Sequence, residues 1–128
     1  MSKAHTNQVC RLYADELGES RIESVTIPMS QKDFAPPAAP FRVADAQPTQ
    51  SYVIIELPVG WGGTEPHPTP GRHMLFMLSG SFRVTPSLGE ARAFDAGDSL
   101  LMEDTSGKGH MTEVTSDGPV KAVMIRLA

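Results

Sequence analysis

Apolar residues recur in short runs over the second part of the chain: Tyr52 to Leu57, His73 to Leu78, Phe82 to Val84, Ala91 to Phe94, Ser99 to Met102, Met111 to Thr115 and Val120 to Leu127. Each run is strand-length and bounded by turn residues, namely 60–63, 79–80, 86–89, 96–98, 107–109 and 117–119. Nothing in the pattern reads as a long helix. Evenly spaced strands with tight turns predict a β-sandwich or closed barrel, architectures that limit open sheet edges. Upstream, Arg11 to Asp15 and Arg21 to Ile27 form two extended segments around Gly18 and predict a hairpin. In the run from His73, alternation places Leu75 and Met77 on the histidine's side and Met74, Phe76 and Leu78 on the other. Both faces of that strand are therefore expected to be buried.

Between these two regions, Phe34 to Phe41 carries Pro36, Pro37 and Pro40. Proline removes backbone donors and restrains the preceding residue, so this stretch should run extended over a surface. Roughly 34 residues precede it, too few to form a separate domain. The expected organisation is N-terminal strands and a Pro-rich arm over 1–50, packing on the barrel or on a partner subunit, followed by a barrel over 51–128.

At 128 residues with 40% hydrophobic positions, the chain has the size of one domain with a real core. Its formal net charge of −4, with basic residues scattered singly, argues against a nucleic-acid partner. No apolar stretch approaches the roughly 20 residues that cross a bilayer, so no membrane span is expected. The first ten residues lack a signal-peptide apolar region, and a single cysteine excludes an internal disulfide framework; a cytoplasmic location is the expectation.

The candidate chemistry lies in histidines. His5 sits in a terminus expected to fray, whereas His67, His73 and His110 fall in the strand-rich part. His67 and His73 flank the turn-rich Pro68 to Arg72, and His110 opens a strand after Gly107 and Gly109, with Thr112 and Val114 on its face. Other roles for these imidazoles are a loop exposed to water for His67, a bond to Thr69 or a backbone carbonyl for His73, and pairing with Asp104 or Glu103 for His110. Met74, Met77, Met102, Met111 and Met124 fill a core or line an apolar cavity. Trp61, set among glycines, covers a pocket mouth or forms a dimer contact. Cys10 is given no role. A nucleophile elbow, a phosphate loop before a helix and a zinc-spaced cysteine pair are all missing.

From about Val53 to Leu127 the arrangement resembles the cupin superfamily of small antiparallel jelly-roll barrels. In the first cupin motif Gly80 stands at the last glycine, His73 at the Glu position, Thr69 at the second His position and His67 at the first, while Trp61 holds the opening glycine's place between Gly60 and Gly62. In the second motif Gly97-Asp98 and His110 match across a connection two residues longer, with Glu103 at the Pro position and Val114 at the Asn position. The resemblance implies an all-β, antiparallel double-stranded β-helix, and a divalent metal ion (Fe, Mn, Ni or Zn) held by His67, His73 and His110. It implies action on a small organic molecule, of dioxygenase, isomerase or lyase class, with Glu103 as proton-transfer partner. The alternative is a metal-free cupin that binds or senses a small ligand, which Thr69 in a histidine's place favours. The arm before Pro36 has extended backbone to offer a second subunit, so a homodimer is expected.

Overall fold

Alternating side chains pair strands into two facing sheets. The structure, a computed structural model, describes residues 7–128, so His5 and the expected fraying of the terminus lie outside the described residues. The described residues form β1 (Gln8–Ala14), β2 (Ser20–Thr26), β3 (Ser30–Lys32), β4 (Phe41–Val43), β5 (Thr49–Leu57), β6 (His73–Ser79), β7 (Phe82–Pro86), β8 (Arg92–Phe94), β9 (Ser99–Glu103), β10 (His110–Val114) and β11 (Val120–Leu127). No helix among them is long and apolar enough to cross a membrane.

One sheet has six strands in the order β2-β1-β9-β6-β11-β5, and the other has three, β10-β7-β8. All neighbours are antiparallel except β1 and β9, which run parallel. The core lies between the sheets. Leu12, Leu75, Met77, Leu100, Met102, Val120 and Ala122 come from the large sheet, and Phe82, Val84, Phe94 and Val114 from the small one. Phe82 and Phe94 meet edge to face, with ring centroids 5.7 Å apart.

The hairpin predicted around Gly18 is β1–β2. Asp15 Oδ1 accepts from the amides of Leu17 and Glu19, closing the turn, while its Oδ2 holds Arg21 at 2.7 Å. The pair is integral to the large sheet, because β1 docks on β9 with Cys10 opposite Leu100 and Leu12 opposite Met102.

Two expectations are corrected. In β6 only one face is buried: Leu75 and Met77 are each 3% exposed, whereas Phe76 is 42% and Leu78 50% exposed. The small sheet covers one side of the large sheet, and on the other side Phe76 and Leu78 keep open surface. The Pro-rich arm, expected to run extended over a surface, instead folds on itself as the β3–β4 hairpin. Phe34 lies 5.4 Å from Phe41 between ring centroids, and the two remain 67% and 45% exposed.

This asymmetry fixes the response to truncation on either side of one strand. Leu75→Ala is expected to lower unfolding free energy by about 3 kcal/mol, since it removes buried methylenes and leaves a cavity, with Phe76→Ala costing less than half as much. Chemical denaturation of both variants checks the difference.

Candidate functional site

The three described histidines lie at one end of the sandwich, where β6 and β10 begin and β9 and β11 end. Register sets them there: His73 pairs with Met102 of β9 and with Arg126 of β11. His67 forms an isolated antiparallel bridge to His110.

That bridge follows from its sequence. Pro66 and Pro68 hold the backbone around His67 extended. The His67 amide donates to the His110 carbonyl and the His110 amide to the His67 carbonyl, both at 3.0 Å. Gly109 lets the two segments approach. Its φ is +73°, and a β-carbon there would fall 2.1 Å from the His67 carbonyl carbon. The Gly109 carbonyl is fixed from behind by the hydroxyl of Ser20, a fully buried residue, at 2.7 Å.

Beneath the bridge sits a buried polar chain. Asp104 is 0%, His110 1% and Thr69 3% exposed. Asp104 Oδ1 accepts from the Thr69 hydroxyl at 2.6 Å, and Oδ2 accepts from Nδ1 of His110 at 2.5 Å. The Asp104 carbonyl also receives the Thr69 amide at 3.0 Å. The carboxylate thereby orients the His110 ring through Nδ1. No hydrogen bond from a described residue reaches Nε2, and His110 as a whole is buried. The exposed His67 ring stands 5.1 Å from that of His110, tilted by 52°, with its Nδ1 on the Pro68 carbonyl at 3.1 Å.

The other candidates lie differently. The half-buried His73 has Nδ1 on the Gly71 carbonyl at 2.9 Å, the backbone-carbonyl role the sequence allowed. Among the described residues no three His, Cys, Asp or Glu side chains gather as a metal-holding group. His67 and His110 are brought together, and His73 does not complete a set with them. Among the described residues His67 and His110 are the pair that could contribute to a metal site, with no third ligand gathered beside them.

Glu103 points away from the histidines. In β9 burial alternates, with Leu100 and Met102 inward, so Glu103 falls on the outer face beside Tyr13 and Asp104 returns inward. Its Oε1 takes Nε of Arg11 at 2.5 Å and its Oε2 takes Nε of Arg72 at 2.6 Å. Partial burial pushes the Glu103 carboxyl up, but the hydrogen bonds from Arg11 and Arg72 outweigh it and hold the group below the ordinary carboxylate range. A carboxylate so held is a brace between β1, β9 and the strand-entry loop, with neither the protonation nor the orientation of a proton carrier for His110. The residue that meets His110 is Asp104, and continuing the Leu100–Met102 alternation by one step finds it.

Two outcomes follow. Glu103→Gln is expected to cost about 1 kcal/mol at pH 7. Because the folded carboxyl titrates below its unfolded value of about 4.3, the wild-type advantage persists above that value and disappears as pH falls through the lower folded one. Urea unfolding from pH 7 to pH 3 checks the convergence. Asp104→Ala strands the buried Thr69 hydroxyl and His110 Nδ1, and is expected to cost about 3 to 5 kcal/mol, measured by the same unfolding at pH 7.

A cupin protein from Bacteroides fragilis is similar in structure at 22% identity, with a TM-score of 0.44 over 66% of this chain and 80% of its own. The cupin domain of Cnp3 from Schizosaccharomyces pombe is similar at 11% identity, with a TM-score of 0.48 over 98% of this chain and 87% of its own. No curated protein matches the chain significantly. The Cupin domain family matches residues 53–126, the stretch that holds β6 to β10 and every residue of the histidine site. Two facing sheets without helices, joined to a family match over more than half of the sequence, make this chain an all-β jelly-roll member of the cupin family.

Proposed function

We propose that this cupin binds a small organic molecule without a resident metal, using Nε2 of His110 as its fixed polar contact and the exposed imidazole of His67 as a second. The observation that carries this reading is the 2.5 Å contact between Asp104 Oδ2 and His110 Nδ1, with both residues buried. The carboxylate accepts a hydrogen bond from Nδ1–H, so the neutral ring presents Nε2 as an acceptor. The ring is positioned before any ligand arrives, which lowers the ordering cost of binding. A fixed hydrogen-bonding imidazole suits a molecule with a polar end.

One observation favours the metal-centred alternative. A carboxylate on Nδ1 is the support commonly found behind a metal-binding imidazole, and His67 is adjacent. In that reading Fe, Mn, Ni or Zn would be held by His67, His110 and a third ligand.

Elemental analysis after dialysis against metal-free buffer, paired with thermal-shift screening of small acids, phenols and amides, tests the two. The expected result is well under one metal per chain, and a compound that raises Tm by several degrees in the wild type but not in His110→Gln. Near-stoichiometric metal that disappears in His110→Ala would overturn the metal-free reading. Ligand shifts unchanged by His110→Gln would overturn the role of Nε2.

A further inference from the structure

Away from the histidines, the sandwich opens at the seam where β8, an edge strand of the small sheet, meets β1 and β2 of the large one. A cavity of about 390 Å³ lies there, its wall including Gln8, Cys10, Ser24, Arg92, Phe94 and Asp98. It sits at the start of β9, because Cys10 is opposite Leu100 and Ser99 pairs with Phe76; the histidine site lies past the other end of that strand. Strand parity explains how a cation comes to be inside it. Phe94 is buried in the core and Arg92 stands two residues before it, so the arginine shares the inward face of β8. Across the seam Cys10 packs against the core, and Ser24 is its partner in the β1–β2 pair.

The guanidinium is received there by neutral atoms. Arg92 Nη1 donates to the Cys10 sulfur at 3.3 Å and to Ser24 Oγ at 3.4 Å. Among the described residues no carboxylate forms an ion pair with Arg92, and its Nε and Nη2 meet no acceptor. Arg11, Arg21, Arg72 and Arg83, by contrast, each hold a carboxylate. A half-buried charge that has partly left water without a counter-ion is costly, and an incoming anion would supply the missing partner. Nε and Nη2 are the side-on pair that grips a carboxylate through two parallel bonds.

We propose that this cavity is a second ligand site, for a small organic acid carrying one negative charge, with its carboxylate on Arg92. The volume falls within the range of about 300 to 1,000 Å³ usual for small-molecule sites. The charge of the wall selects the class. Arg92 is the cation of the wall and Asp98 its carboxylate, with Oδ2 of Asp98 on the Asp95 amide at 2.8 Å. A phosphate dianion or a dicarboxylate would set its second charge against Asp98 with no further cation to meet it, whereas a monocarboxylate is matched by Arg92 alone.

The single cysteine reports on occupancy, since its sulfur shares Nη1 of Arg92. The test is iodoacetamide alkylation of Cys10 in the full chain, followed by mass spectrometry, with sodium benzoate, phosphate or chloride at matched ionic strength. Benzoate at about 20 mM is expected to slow alkylation about threefold, saturably, while phosphate and chloride leave the rate nearly unchanged. Arg92→Gln should abolish the slowing by benzoate, and His110→Gln should keep it, which separates this cavity from the histidine site. Equal slowing by phosphate or chloride would overturn the proposal, as would slowing by benzoate that survives Arg92→Gln or is lost in His110→Gln. Should Cys10 resist alkylation or Arg92→Gln fail to fold, amide NMR of the wild type titrated with benzoate decides. Saturable shifts concentrated at Cys10, Ser24 and Arg92 support the site, and their absence overturns it.

Discussion

A fully buried carboxylate imposes conditions on everything around it, because removing its charge from water costs several kcal/mol unless donors replace the lost hydration. Asp104 meets those conditions with the Thr69 hydroxyl and His110 Nδ1. The rest of the site follows from keeping these donors in place. Thr69 is fixed by its amide on the Asp104 carbonyl, which draws the proline-stiffened 66–70 segment across the end of the sandwich. His67 then falls beside the start of β10, and Gly109 provides the clearance for the backbone bridge to His110. Thr69, which interrupts the resemblance to a metal-binding motif, is one of the two side chains that make Asp104 tolerable in the core.

Much of the fold is legible in the sequence because β structure writes itself locally. Runs such as Phe82 to Val84 and Val120 to Leu127 are apolar, short and punctuated, and the β1–β2 turn declares itself through Asp15 and Gly18. What is not legible is what lies across from a face. The side chains of β6 are apolar on both sides, and composition alone cannot tell a second layer of protein from an uncovered surface; the structure leaves Phe76 and Leu78 open. The arm fails for a related reason. Prolines exclude helix, but they do not say whether the segment stays extended or turns back on itself as a hairpin.

At the site, the residue types were readable and their directions were not. Glu103 and Asp104 are adjacent carboxylates near His110 in sequence, and one residue of strand parity separates an outward ion-pair brace from an inward partner of the imidazole. The parity could be read from Leu100 and Met102, whose burial sets the inner side of β9. His73 illustrates the opposite limit. Its place in a motif register matches a ligand position, but its strand orientation and the nearby Gly71 carbonyl give Nδ1 a local partner. Membership of the cupin family therefore fixes the frame more firmly than the chemistry within it.

Asp104 on Nδ1 holds His110 in one tautomer, and nitrogen-15 NMR of the imidazoles tests this most directly. In neutral His110 the proton is expected on Nδ1, with a downfield, slowly exchanging resonance and an unprotonated Nε2 signal. In Asp104→Asn the side-chain amide would donate to Nδ1 and move the proton to Nε2. A wild-type His110 with its proton on Nε2, or one in rapid exchange between both nitrogens, would contradict the account.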